Sequence, residues 1–277
     1  MIKNRLSGRI PGYIFGGLLV FLALFPFFWM ILSSFKLKRD VFAIPLQFFP
    51  KSLNPVNYQN IVKDKNYPIL NAMRITFAVS AFSAVLAMFV NTMAAYSFAR
   101  LEFKFKKLIW AICISTMYIP GIAILITSYL VVHAMNILDT FWVLALPGVA
   151  SGYSIFFFRQ FFLNLPNSLE DAALIDGCSR FRIYWNVFIP LSVSPLIVMG
   201  AGCFIGYWNS FIWPSMTVPN NAALMQMMQV VRSYSSFYGA DYGSVLAAAC
   251  VDAIVPVCVF FIFQRWIVQG VVLSGLK

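Results

Sequence analysis

The sequence predicts an all-α integral membrane protein with six transmembrane helices. Of its 277 residues, 61% are hydrophobic and only 10% are charged, and the mean hydropathy is +0.81. A soluble domain carries about a quarter charged residues, so a soluble protein with an oversized core is excluded. Long uncharged runs of about 20 residues are typical of membrane spans, and each must be a helix because lipid offers the backbone no hydrogen bonds.

Six apolar runs define the predicted organisation. Residues 1–12 form an N-terminal tail, 13–34 the first span, 35–69 an external segment with short amphipathic pieces, 70–265 the membrane core and 266–277 a C-terminal tail. The later spans are predicted near 75–98, 108–132, 140–158, 191–214 and 243–263. Prolines in or beside spans favour bends or breaks, and they stand at positions 26, 120, 147, 195 and 256.

Charges in the loops predict that both termini are cytoplasmic. In that orientation the internal segments hold twelve Lys and Arg residues and the external segments hold seven. The first apolar run is too long for a signal-peptide core, which favours a retained anchor. The net charge of +11 is spread over short loops and tails. It therefore indicates contact with anionic membrane lipid and excludes nucleic-acid binding as the function.

Residues for catalysis or metal binding are not evident in the sequence. No G-x-x-x-x-G-K-[ST] motif is present, so the chain has no phosphate cradle of its own. The single histidine, His133, leaves no Ser/His/Asp constellation. The five cysteines are odd in number and fit no metal-site spacing, so we expect small apolar helix residues. Neither a catalytic residue nor a metal site is predicted.

A polar segment at 164–190 interrupts the apolar pattern between the fourth and fifth spans. Ser168 and Asp171 fit a capping box, with Asn167 as a competing cap. Gly177 is well placed to end that helix in a left-handed conformation, and Ser179 can cap a second helix over 180–188. The segment thus predicts helix, sharp turn and helix on the cytoplasmic face. Small residues on such a helix would let another protein surface approach closely.

The spacing in this segment resembles the EAA motif of ATP-binding-cassette (ABC) importer permeases. That pattern is E-A-A, three residues, Gly, nine residues and I-x-L-P. Here it becomes Asp171-Ala172-Ala173, Gly177 and Val187-Phe188-Ile189-Pro190, with no gap. The stretches AAYSFARLEF after the second span and GYWNSFIWP in the fifth are similar to the carbohydrate-uptake class of maltose type. The resemblance extends along nearly the whole chain.

The resemblance implies a type I ABC importer permease fold and a bacterial inner-membrane subunit that imports an oligosaccharide or another sugar. Its partners would be a second, different permease, two ATPase subunits that bind ATP and Mg, and an extracytoplasmic sugar-binding protein. No cofactor is expected on this chain, and it is not expected to be an enzyme. The implied ATPase-docking residues in the loop are the acidic, small and turn residues Glu170, Asp171, Ala172, Ala173, Asp176 and Gly177.

Substrate-pathway candidates lie in the fifth span, where flat aromatic faces and one amide suit sugars: Tyr207, Trp208, Asn209 and Trp213. An interfacial aromatic belt would explain the same residues. Asp252 in the sixth span supports an alternative function, a self-contained secondary transporter or channel with an ion site. The halves show no sequence pseudo-symmetry, which disfavours it. A membrane scaffold without transport would explain the polar loop but not the intramembrane amides and prolines.

Overall fold

The computed structural model describes residues 10–45, 47–235 and 241–274, and every regular element within them is helical. The predicted all-α class is therefore confirmed. The α-helices are, in chain order, α1 (Ile10–Ser34), α2 (Val56–Lys63), α3 (Ile69–Arg100), α4 (Lys106–Ser115), α5 (Leu125–Ala134), α6 (Phe141–Ala145), α7 (Gly152–Leu163), α8 (Asn167–Ile175), α9 (Arg180–Ile183), α10 (Ile189–Leu191), α11 (Val193–Trp208), α12 (Ile212–Thr217), α13 (Met227–Ser233) and α14 (Tyr242–Ser274). A π-helical segment, Tyr184–Phe188, joins α9 to α10.

Three of these helices, α1, α3 and α14, are long and apolar enough to cross a membrane by themselves. Two bent pairs bring the number to five among the described residues. One pair, Lys106–Tyr118 with Gly121–Ala134, bends by 100°, and the other, Arg180–Leu191 with Val193–Trp208, bends by 83°. The predicted fourth span is instead divided between α6 and α7. Pro147 and Gly148, which has a φ of +87°, lie in that break.

At both ends of the chain, helix extends into the segments that were predicted as tails. Helix α1 already begins at Ile10, and α14 continues to Ser274, so most of the predicted tail at 266–277 is helical. Residues 1–9 and 275–277 lie outside the described residues. Pro26 and Pro256 lie inside continuous helices, whereas Pro120 lies at the 100° bend. Proline alone therefore did not identify which spans would break.

The chain divides into two compact units, Met1–Leu70 with Val230–Ile254, and Asn71–Gln229 with Val255–Lys277. In the first unit, the buried Asn57 amide in α2 donates to the Ser34 and Lys36 carbonyls at 2.7 and 2.8 Å, which closes the end of α1. A Cβ at Gly243 would lie 2.6 Å from the same amide, so a larger residue there would displace the Asn57 side chain from these bonds. The hydrogen bonds of the Asn57 amide therefore hold the predicted external segment against the end of α1.

The second unit has two apolar clusters. The first is built around aromatic residues of α3, α7 and the segment before α11, among them Tyr96, Phe158, Phe162, Tyr184 and Phe188. The second is made of aliphatic residues, chiefly of α3 and α6. These clusters hold the loop at 164–190 and the break in the fourth span.

Candidate functional site

The loop at 164–190 begins with helix α8, but the predicted capping box does not form. The helix begins at Asn167 with Pro166 at its N-cap, and no side chain caps it. Asn167 is not the cap either, because its side-chain oxygen accepts a hydrogen bond from the Arg100 guanidinium instead. Proline suits the start of a helix, where its missing N–H leaves no bond unmade. A residue distant in sequence therefore overrides the local capping signal.

The turn after α8 forms as predicted. Gly177 has a φ of +75°. Its N–H donates to the Leu174 carbonyl and that of Cys178 to the Ala173 carbonyl, both at 3.0 Å, which is the Schellman pattern. The Ser179 hydroxyl then accepts from the Arg182 N–H at 3.4 Å, as predicted for the cap of the second helix. The prediction of one α-helix over 180–188 is wrong, because α9 ends at Ile183 and a π-helix follows.

Arg100, at the end of α3, anchors α8 to the membrane helices. Its Nη2 donates to the Phe162 and Leu165 carbonyls at 2.7 and 2.6 Å, which satisfies carbonyls at the end of α7. Its Nε lies 3.7 Å from Glu170 Oε2. Arg180 pairs with the other oxygen of the same carboxylate. In the sequence Arg100 is only one of the twelve positive charges of the predicted internal segments, and no local pattern could have revealed these partners.

Burial separates the predicted docking residues into two groups. Asp171, Ala172, Asp176 and Gly177 are exposed, and Ala173 is partly buried. Beside them the apolar side chain of Ile175 is 87% exposed. Glu170 is different, because its side chain is only 8% exposed between the two arginines. It therefore cannot belong to an exposed docking face, and its place on the inward side of α8 corrects that assignment.

The loop continues into the fifth span through a buried, well-packed segment. Tyr184 and Phe188 of the π-helical segment are 1% exposed within the aromatic cluster, and the Tyr184 hydroxyl lies 2.9 Å from Thr92 Oγ1 of α3. Pro190 removes an N–H that an α-helix would use, which favours the wider turn before it. The chain then bends by 83° near Ser192 into α11. A movement of α8 therefore has a packed path to α11.

The break in the fourth span, 146–151, has its backbone groups bonded by side chains from other spans. Asn91 of α3 donates to the Val149 carbonyl at 2.8 Å and accepts from the Ser151 N–H at 2.8 Å. Ser83 of α3 donates to the Ala145 carbonyl at 2.8 Å. Irregular backbone at membrane depth is tolerated where protein groups satisfy it or where it lines a cavity. In this break, side chains of the protein bond the backbone, and the backbone also lines a cavity.

Two of the predicted pathway residues complete this arrangement from the fifth span. The Tyr207 hydroxyl donates to the Pro147 carbonyl at 2.7 Å, and Trp213 Nε1 donates to the Val143 carbonyl at 2.8 Å. Because their polar atoms are engaged with backbone, the aromatic rings are what these residues offer to the adjacent cavity.

That cavity has a volume of about 560 Å³ and is bounded by α5, the break, α7, α11 and α12. Its wall combines the rings of Tyr207 and Trp213 with hydroxyls and one amide, from Ser128, Ser151, Ser154, Ser210 and Gln226. None of its lining residues is charged. Rings beside neutral hydrogen-bonding groups suit a polyhydroxylated solute, which presents C–H faces and hydroxyls.

The other two pathway candidates lie elsewhere. Asn209 is the C-cap of α11 and lines a neighbouring pocket, which shares Gly121, Leu125, Ser210 and Trp213 with the cavity. Trp208 is fully buried, stacks on Phe204 with ring centroids 5.9 Å apart, and lines neither pocket. Successive residues of a helix point in different directions, so Tyr207 lines the cavity wall while its neighbour Trp208 lies in the protein interior. Among the described residues, no cluster of His, Cys, Asp and Glu could hold a metal ion.

Comparison with known proteins adds a family and several relatives. The model of the family described as binding-protein-dependent transport system inner membrane component matches residues 91–272. The sulfoquinovosyl glycerol transport system permease protein SmoH of Agrobacterium fabrum is 28% identical, over 100% of this chain and 96% of that protein. The sn-glycerol-3-phosphate transport system permease protein UgpE of Yersinia enterocolitica is 30% identical, over 98% of this chain and 99% of that protein.

A solved structure has a similar fold. It is a crystal structure of a bacterial ABC transporter involved in the import of the acidic polysaccharide alginate. One of its chains superposes with a TM-score of 0.79, covering 95% of this chain and 96% of that one, at 19% identity. At this identity the comparison bears on the fold alone, and it agrees with the permease fold that the resemblance implies.

Proposed function

Because the chain belongs to the family of binding-protein-dependent transport system inner membrane components, we propose that it is the transmembrane permease subunit of an ATP-driven importer for an oligosaccharide or another sugar. The observation that carries this proposal is the exposed helix α8, which is anchored to α3 and continues into the wall of a membrane cavity. Family membership favours this function over a self-contained transporter that uses Asp252.

The exposed face of α8 is the proposed docking surface for an ATPase subunit. Asp171, Ala172, Ile175, Asp176 and Gly177 are exposed there. Small residues allow close approach of a partner backbone, and Ile175 offers an apolar side chain to a groove. Glu170 takes no part in this contact and serves to hold the helix.

Transport follows from coupling α8 to the cavity. A push on α8 reaches α11 through the packed π-helical segment, and α11 supplies one wall of the cavity. ATP binding and hydrolysis on the partner would thereby alternate the access of the cavity between the two sides of the membrane. The sugar contributes only through different affinities for the two states.

The neutral hydroxyls and aromatic rings of the cavity support a sugar as the solute. The name of one relative, a permease protein of a sulfoquinovosyl glycerol transport system, agrees with that class. The proposed pathway contribution of this chain consists of Tyr207 and Trp213, with Asn209 in the neighbouring pocket. Trp208 is omitted because it is buried elsewhere.

The remaining partners follow the same proposal. Two ATPase subunits would carry ATP and Mg, a second and different permease would complete the cavity, and an extracytoplasmic protein would deliver the sugar. The chain would lie in the bacterial inner membrane with both termini cytoplasmic, which places α8 on the ATPase side.

The test is to co-express the chain with its partner subunits and compare two arginine variants. Ala172→Arg places a bulky cation on the exposed face of α8, and Ser52→Arg makes the same kind of change in the exposed external segment. We expect Ala172→Arg to insert normally but to lose ATPase co-purification and sugar uptake, while Ser52→Arg retains both. Normal co-purification and uptake with Ala172→Arg would overturn the docking assignment.

A further inference from the structure

A third pocket, separate from the membrane cavity, lies where α3 ends and α4 begins. Its volume is about 470 Å³. Three of its lining residues are cations, Lys106, Lys107 and Arg159, and Glu102 is its one acidic lining residue. Phe98 and Trp110 supply aromatic surface. The pocket is therefore basic and concave.

The cations are held in different ways. The Arg159 guanidinium lies over the Trp110 ring at 4.3 Å and donates from Nε to the Phe98 carbonyl at 3.2 Å, so it is fixed in the wall. Lys106 donates to the Leu101 carbonyl at 2.7 Å and to Glu102 at 2.9 Å. The Lys107 ammonium makes no hydrogen bond or ion pair with any residue that the structure describes. Two of the three positive charges thus lack an acidic partner.

An apolar surface begins directly above these charges. Leu108, Ile109 and Ile112 are all exposed on one side of α4, within a bent pair of helices that is apolar enough to span the membrane. Lys106 and Lys107 form the first turn of that helix. The pocket therefore lies at a boundary between lipid and water, on the same side as Arg100 and α8.

We propose that this pocket binds the phosphate headgroup of an anionic phospholipid whose acyl chains lie along α4. Arginine and lysine at the lipid boundary attract anionic headgroups, and basic pockets between membrane helices are suited to holding them. A fixed guanidinium gives a phosphate a directed partner, and the exposed ammonium of Lys107 adds a second charge. A free phosphate would leave the apolar surface of α4 unused, so the lipid matches both parts of the site.

The test is native mass spectrometry of the full-length chain in a nonionic detergent, titrated with phosphatidylglycerol and with phosphatidylcholine of the same acyl chains. We expect tighter binding of one phosphatidylglycerol molecule. Each cation near the surface contributes about 1 kcal/mol, or about 5-fold in affinity, so Lys107→Gln with Arg159→Gln should weaken that binding about 30-fold. The control, Lys63→Gln with Lys65→Gln, removes two exposed charges elsewhere and should retain the preference.

Three results would overturn the site. They are equal affinity for the two lipids, an unchanged preference in the Lys107/Arg159 variant, and competition by inorganic phosphate at the same concentration as the lipid. Because Arg159 also bonds the backbone, its variant could fold poorly. Lys107→Glu reverses an exposed charge without removing a described contact, and it must weaken phosphatidylglycerol binding by itself. None of these outcomes depends on transport, so they leave the proposed function to its own test.

Discussion

Replacing Glu170 by glutamine tests whether the ion pairs of Glu170 with Arg100 and Arg180, and not local helix signals, hold α8 in place. The substitution keeps the volume of the side chain and removes its charge. Arg100 is then left with a side chain that is 7% exposed and no carboxylate, whereas Arg180 is 49% exposed and can turn to water. The cost therefore arises mainly at Arg100.

The magnitude follows from the contacts that remain. Removing one partner of a fully buried ion pair costs about 3–5 kcal/mol. Arg100 keeps its bonds to two carbonyls and to Asn167, and a glutamine oxygen can still accept from a guanidinium. We therefore expect a loss of about 2–3 kcal/mol, near the range for hydrogen bonds to charged groups. A loss of this size raises the equilibrium constant for local unfolding of the loop about 30- to 150-fold.

Hydrogen-exchange mass spectrometry of the purified chain measures that opening directly. In Glu170→Gln, peptides that cover 167–183 should lose protection by up to this factor, while peptides from the middle of α3 should not change. Asp171→Asn is the matched control, because it removes the neighbouring charge from an exposed position on the same helix. Equal protection of the loop in the Glu170 variant and the wild type would refute the anchoring role.

Three further substitutions test other parts of the structure. In Gly177→Val the new side chain enters open space, but a β-branched residue must adopt a φ of +75°, which costs about 1–2 kcal/mol in the turn. Membrane insertion should persist, while ATPase activity should become uncoupled from uptake in the assembled complex. Asn91→Leu leaves the Val149 carbonyl and the Ser151 N–H without their partner, and each lost bond costs about 1–2 kcal/mol of stability. The midpoint of thermal unfolding in detergent should therefore fall. Asn209→Ala should change uptake kinetics more than the yield of assembled complex, and unchanged kinetics across a panel of sugars would remove it from the site.

Local signals in the sequence predicted the parts of the loop that local interactions hold. The turn at Gly177 and the cap at Ser179 both depend on residues within a few positions, and both form. The start of α8 did not follow its local signal, because Arg100 binds the Asn167 side chain from a distant position. The same remote residue explains why Glu170 is buried although its neighbour Asp171 is exposed.

The membrane spans were harder to predict in detail because their composition is nearly uniform. A span that is apolar on all sides gives no periodic signal for the side that faces a cavity. Tyr207 and Trp208 are neighbours in sequence, yet only Tyr207 lines the cavity. Five prolines were candidates for breaks; Pro147 lies with Gly148 in the break of the fourth span, while Pro26 lies in a continuous helix.

The bonds that close the broken fourth span also impose an order on its assembly. Tyr207 lies 60 residues after Pro147, and Trp213 lies 70 residues after Val143, so both donors leave the ribosome after the carbonyls they serve. Without those donors the Val143 and Pro147 carbonyls would lie unpaired in lipid, which is costly. We therefore expect the fourth span to become stable in the bilayer only together with the fifth.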